Sequence, residues 1–154
     1  MTQQVYWEDV QEGTHLTPLP KIASTQMLVK WAAGSADFNP LHYEDTFAAA
    51  QGVGKPIVHG QLKRAWLVQL VTDWMGEAGT LTKFACQFRG MDYPRQMATM
   101  VDVKDGETHM CKGHVIKKYV EGDNHLVDCE IWVENQKGEK TTPGNATVAL
   151  PSRR

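Results

Sequence analysis

Cysteine is scarce in this chain, and what there is cannot build a framework. Cys86, Cys111 and Cys129 are odd in number and none stands in a C-x-x-C spacing. A disulfide scaffold and a zinc ribbon are therefore excluded, and reduced thiols are expected. Charge of one sign is lacking too. A formal net charge of −2 gives no long-range pull toward nucleic acid or anionic lipid, and no basic stripe is interleaved with aromatic residues. Met1 to Val10 carries Glu8 and Asp9 and has no apolar run, so secretion is not expected and the cytoplasm is the expected location. The sequence also lacks repeats, low-complexity tracts and a linker. No G-x-S-x-G is present, and Gly52-Val53-Gly54-Lys55 is too short for a phosphate loop and has no Ser or Thr after its Lys. His109 and His114 are five apart on an expected strand, so they face opposite sides and cannot chelate one metal together.

What remains is a soluble globular composition over one expected domain, residues 1–154, with Pro151 to Arg154 as a solvated tail. Helical signals fill the first half. After a short strand around Val5 to Trp7, Ser24 or Thr25 should cap a helix through Met27, Leu28, Trp31 and Ala32 that ends near Gly34. Asn39 should cap a second, short helix with Pro40 at its first position, running through Phe47 to Ala50 and stopped by Gly52, Gly54 and Pro56. The longest helix should run from Gly60 to Met75 and close at Gly76. Leu62, Ala65, Trp66, Leu67, Val68, Leu70, Val71, Trp74 and Met75 cover most of its circumference, so it should be buried on most sides.

The second half reads as strands: Thr80 to Phe88, Ala98 to Lys104, His109 to Tyr119, Leu126 to Glu134 and Lys140 to Leu150. Met100-Val101-Asp102-Val103 and Val127 to Glu134 show the apolar/polar alternation of half-buried strands. Asp105-Gly106, Glu121 to Asn124 and Gln136-Lys137-Gly138 supply turns. Short connections make the sheet mostly antiparallel, and one long helix ahead of it is an α+β pattern.

Within this frame Asp37-Phe38-Asn39-Pro40-Leu41-His42 stands out. A carboxylate and an imidazole lie five residues apart across an Asn-Pro bend in a mostly apolar segment. Such groups are costly to bury unless paired or used, and their chemistry is general acid–base catalysis. Pro40 forces Asn39 out of the helical region, so the chain bends and both side chains can converge on one point, such as a bound water. In the first turn of a helix, the dipole would keep His42 neutral and able to accept a proton. The alternative is plain turn chemistry, with Asp37 as a cap and His42 half exposed. Pro56-Ile57-Val58-His59-Gly60 then leads into the long helix, where the Gly60 amide is a free donor and a missing side chain permits close approach. That suits an oxyanion such as a thioester carbonyl develops. His59 is expected to be a satisfied structural histidine.

Ser35 to His42 followed by His59-Gly60 resembles the MaoC-like, (R)-specific enoyl-CoA hydratase (hydratase 2) family, whose pattern is S-G-D-x-N-P-[IL]-H with a later H-G. The resemblance runs from about Val5 to Leu150. It implies the hot-dog fold, a long central helix wrapped by a mostly antiparallel sheet of five to six strands, paired as a homodimer or higher homo-oligomer. It implies reversible syn addition of water to a trans-2-enoyl-CoA thioester, with Asp37 and His42 as catalytic pair, Gly60 at the oxyanion, and Asn39 and Pro40 positioning the loop. CoA would enter as part of the substrate, with no metal or redox cofactor, no nucleic acid and no membrane partner. A tunnel between subunits would be lined by the central helix and Trp31 to Phe47. Two departures are visible: Ala36 stands where the family has glycine, and Tyr93-Pro94-Arg95-Gln96 replaces a frequent P-G-D turn. Lys63, Arg64, Arg89 and Arg95 are candidates for the CoA phosphates. A hot-dog thioesterase and a non-catalytic subunit of a heteromeric hydratase are the rival readings.

Overall fold

The computed structural model describes residues 3–153. Its centre is the helix Gly60–Met75 (α3), whose residues Leu62, Trp66, Leu67, Leu70, Val71, Trp74 and Met75 join one core cluster. Gln61, Arg64, Gln69 and Asp73 stay exposed along the opposite side, so α3 is covered over a broad face rather than on most sides as its sequence implied. Gly76, at φ 76°, ends it.

The cover is one antiparallel sheet of five strands: Leu19–Lys21 (β1), Thr80–Cys86 (β2), His109–Glu121 (β3), Asn124–Glu134 (β4) and Lys140–Ala149 (β5), in the order β1-β3-β4-β5-β2. Along β4, Val127, Cys129, Ile131 and Val133 are buried while Asp128, Glu130, Trp132 and Glu134 are partly exposed, which is the period-two alternation of a strand with one face on the core. In β3 the same alternation buries His109 and turns His114 outward. The β3–β4 and β4–β5 turns place Gly122 at φ 59° and Gly138 at φ 79°, backbone positions that glycine adopts without strain.

Two helices precede α3. Thr25–Ser35 (α1) is capped by the Ser24 side chain, whose Oγ accepts the Met27 N–H at 3.0 Å. Asp45–Ala50 (α2) follows a separate 3₁₀ turn, Pro40–His42.

Several expectations are corrected. Val5 to Trp7 forms no strand; Trp7–Asp9 is a 3₁₀ turn, and the Trp7 N–H donates to the Pro151 carbonyl. The three-residue strand β1 contains Pro20, tolerable because β1 lies at the sheet edge. Ala98 to Lys104 is a loop despite its alternation. The Thr99 hydroxyl accepts the Asp102 and Val101 N–H groups, a side-chain competitor for strand pairing, and Met100 and Val101 are 88% and 84% exposed. The helix expected from Asn39 to Ala50 is broken at Tyr43 and Glu44. The tail is tied down rather than free: both guanidinium Nη atoms of Arg153 donate to the Asp9 carboxylate at 2.7 Å, while Arg154 lies outside the described residues. Among the described residues, no helix is long and apolar enough to cross a membrane.

Candidate active site

α1 ends at Ala36, which adopts φ 59° and ψ 19° in the left-handed region and turns the chain into the site. From there a ladder of short-range bonds fixes the loop. The Ser35 hydroxyl accepts the Asp37 N–H, the Asp37 carboxylate accepts the Asn39 N–H at 3.4 Å, and the Asn39 side chain accepts the Leu41 N–H at 3.0 Å. Pro40 occupies the first position of the 3₁₀ turn and Asn39 its cap. The Tyr43 hydroxyl donates back to the Phe38 carbonyl.

The loop brings together side-chain atoms of Asp37, His42 and His59 to within 4.8 Å of one another. His42 Nδ1 lies 2.8 Å from the Ile57 carbonyl. Because a carbonyl only accepts, Nδ1 carries the hydrogen, and Nε2 of the neutral ring is left with its lone pair. The expected dipole argument is replaced by this bond: His42 ends a turn of three residues, too short for a macrodipole, and the tautomer is set by Ile57 instead.

His59 is more than a spacer. It is 1% exposed, and its ring stacks on His42 with centroids 3.7 Å apart and planes 20° off parallel. Its Nε2 lies 3.3 Å from the Asp37 carbonyl, while its Nδ1 is buried without a hydrogen-bond partner. Burial lowers the His59 pKa from its ordinary value and the neighbouring His42 ring lowers it further; the Asp37 carbonyl and charge pull the other way. The expectation of a fully satisfied histidine is thus only half met.

Gly60 opens α3, so its amide has no acceptor within the helix. The space its missing side chain leaves is filled by protein: a Cβ there would come within 2.9 Å of the Phe88 ring. Glycine at this position admits Phe88, where the sequence pointed to a ligand. Gly60, His42, Ile57, Phe88 and Met91 line one cavity of about 290 Å³, and His42 also borders a more polar one of about 580 Å³ reaching Lys55, Tyr93 and Lys104. The imidazole stands where the two meet.

The basic residues separate clearly. Lys63 is 2% exposed and bound to Asp92, so it is unavailable to a phosphate. Arg95 donates to the Glu107 carbonyl and the Thr108 hydroxyl and belongs to a stretch that bonds the backbone just ahead of α1. Arg64 and Arg89 are exposed. The buried cluster around Lys63 was not legible in the sequence, since neither its partner Asp92 nor His109, which faces Asp92, carries a local pattern that distinguishes it from surface residues. Cys111 and Cys129 are free thiols whose pKa burial raises to about 12, inert packing groups.

Comparison with known proteins adds to the geometry. The chain is 33% identical over 72 residues to enoyl-CoA hydratase ChsH3 of Mycobacterium tuberculosis, a match covering 46% of this chain but only 25% of that protein. Among solved structures it resembles the (R)-hydratase from A. caviae involved in PHA biosynthesis, with a TM-score of 0.76 and 23% identity over 94% of this chain and 99% of that one. It also resembles the R-hydratase PhaJ1 of Pseudomonas aeruginosa, with a TM-score of 0.79 and 20% identity over 97% of this chain and 88% of that one. These likenesses identify the architecture as the hot-dog fold. The family model described as MaoC like domain matches residues 9–128, from ahead of β1 into β4 and across the whole site, and the chain belongs to that family.

Proposed function

We propose that this protein is a hydro-lyase that reversibly adds water to trans-2-enoyl-CoA thioesters, giving (R)-3-hydroxyacyl-CoA. The observation that carries the reading is the convergence of the Asp37 carboxylate and the His42 ring beside the free amide at the head of α3. His42 Nε2, with Nδ1 committed to Ile57, accepts a proton from a water held between it and Asp37. The water oxygen bonds to C3, and the π electrons move through C2 onto the thioester oxygen. The Gly60 amide faces that developing negative charge. A proton returned to C2 from the same Asp37–His42 side completes the addition, so one C–O and one C–H bond form on one face, one O–H bond of water is broken, and both groups end as they began.

Asn39 and Pro40 set the separation of the pair through the capped turn. No metal or redox group is required by this chemistry. Pairing of two copies is supported by β2, an edge strand with one side unpaired. Free buried thiols support a reducing compartment such as the cytoplasm.

The test is purified protein with crotonyl-CoA, following loss of the conjugated enoyl absorbance together with release of free thiol. Hydration without thiol release is expected, and Asp37→Asn and His42→Ala should each lose at least about a hundredfold in rate. Thiol release would identify a thioesterase, and equal inactivity of wild type and both variants would sink the enzymatic reading.

A further inference from the structure

A lysine buried one turn after Gly60 requires a reason, because an ammonium ion is costly to remove from water. Lys63 Nζ donates to Asp92 Oδ2 at 2.7 Å and to the Gly90 carbonyl at 2.9 Å. Asp92 is 1% exposed, accepts the Thr141 hydroxyl at 2.7 Å on that same oxygen, and turns its other oxygen toward His109 Nε2 at 3.5 Å. Burial works to raise the Asp92 carboxyl, but the His109 contact, the Lys63 charge and bond, and the Thr141 hydroxyl outweigh it and hold the group below its ordinary value. The carboxylate is therefore kept charged opposite the ammonium.

The backbone around this pair shows what it secures. The Asp92 carbonyl accepts the Val58 N–H at 2.8 Å, two residues before Gly60, and the Arg89 and Gly90 N–H groups both donate to the Thr141 carbonyl. Segment 88–92 is thus fastened to β5, to the approach into α3 and, through Lys63, to α3 itself. That segment carries Phe88, whose ring rests on Gly60, and it supplies Met91 and Gly90 to the cavity shared with His42.

We infer that Lys63 and Asp92 are positioning residues that hold Phe88 and segment 88–92 at a fixed distance from the Gly60 amide, and so set the geometry of the thioester end of the site. The inference rests on the hydratase reading above. Asp92 lies behind the cavity lining, and Lys63, which borders the cavity, has its ammonium committed to Asp92 and the Gly90 carbonyl, so each acts through the wall it holds. Because the contact made by the Gly60 amide strengthens as charge develops on the thioester oxygen, loosening that wall lowers kcat more than it raises KM.

The experiment uses the full chain with crotonyl-CoA. The double variant Lys63→Met/Asp92→Asn removes both charges together, so no lone buried ion is left behind. It should unfold cooperatively like wild type, with kcat down about tenfold and KM within about threefold, the scale of a small misplacement at a reacting centre. Phe88→Leu should also lower kcat, and the triple variant should lose no more than the larger of the two, since both act through one wall. Thr141→Val, which takes one donor from Asp92 and leaves the ion pair, should show the same split at about threefold. Wild-type kcat in a folded double variant, losses that multiply in the triple variant, or unchanged kinetics in Thr141→Val if the double variant does not fold, would overturn the inference alone. A wild type inert toward enoyl thioesters would overturn the hydratase reading along with it.

Discussion

His59 should make this protein sensitive to mild acid, before the carboxylates begin to titrate. Its folded-state pKa lies below the ordinary 6.5, chiefly because it is buried and secondly because the His42 ring is stacked on it. The unfolded chain therefore binds a proton that the folded chain refuses. Stability from this residue is fully present above about pH 6.5 and is lost as pH falls from there toward the folded value, at up to about 1.4 kcal/mol per pH unit. Between pH 7.5 and 5.5 the loss has a ceiling of about 1.4 kcal/mol, set by a ring that refuses the proton throughout, which at roughly 2–4 °C per kcal/mol for a chain of this size is at most about 3–6 °C in Tm. His59→Gln removes the titration and keeps an N–H able to reach the Asp37 carbonyl. Thermal melts followed by circular dichroism at pH 7.5, 6.5 and 5.5 should show wild type losing more Tm than the variant across the window, by no more than about 6 °C. The histidines and carboxylates remote from His59 are common to both proteins and cancel in the difference. Parallel melting curves would refute the reasoning, and a wild type that gained stability on acidification relative to the variant would reverse its sign.

Two further outcomes follow from the same loop and helix. Ala36→Gly removes a left-handed strain of about 1–2 kcal/mol and adds about 0.4–1 kcal/mol of unfolded-chain entropy, so it should raise stability by about 0.5 kcal/mol with hydration unchanged; a fall in Tm on calorimetry would contradict it. Gly60→Ala gains helix propensity but drives a Cβ to within 2.9 Å of the half-exposed Phe88 ring, so the protein should stay folded by circular dichroism while hydration falls about tenfold; wild-type rates would show that the Phe88 contact is immaterial.

What could be read from the sequence was what is local. α3 has the boundaries its apolar run and closing glycine imply, and α1 starts at the serine cap. β4 follows from its alternation, and β3 and β5 fall within the strand runs marked off by the turns. Asp37 and His42 come together across the capped Asn39-Pro40 turn, and His42 and Gly60 border one cavity, as a bend followed by a helix start would place them. The failures share a cause, which is that their determinants lie far along the chain. β1 is three residues long and exists through its pairing with Cys111, Met110 and His109. The alternation of Met100 to Val103 finds no partner strand, and Lys63 reads as a surface residue until Asp92 arrives beside it. Ala36 and Gly60 show the same limit at finer scale: the positive φ of one and the Phe88 ring packed on the other depend on how distant segments meet.

The strand order carries a consequence for how the chain acquires this structure. Leu19 pairs with Cys111, and Thr80 pairs with Ala149, so both edges of the sheet are closed by residues made long after them. During synthesis α3, with the broad face that carries Leu62, Trp66, Leu67, Leu70, Val71 and Trp74, is complete while β3, β4 and β5 are still to come. Non-local pairing of this kind is slow, because chain entropy is lost before the contacts that offset it can form. The nascent chain therefore passes through an interval in which its stickiest helix has nothing to cover it, and its yield in a cell should depend on chaperones that occupy that helix until β5 closes the sheet.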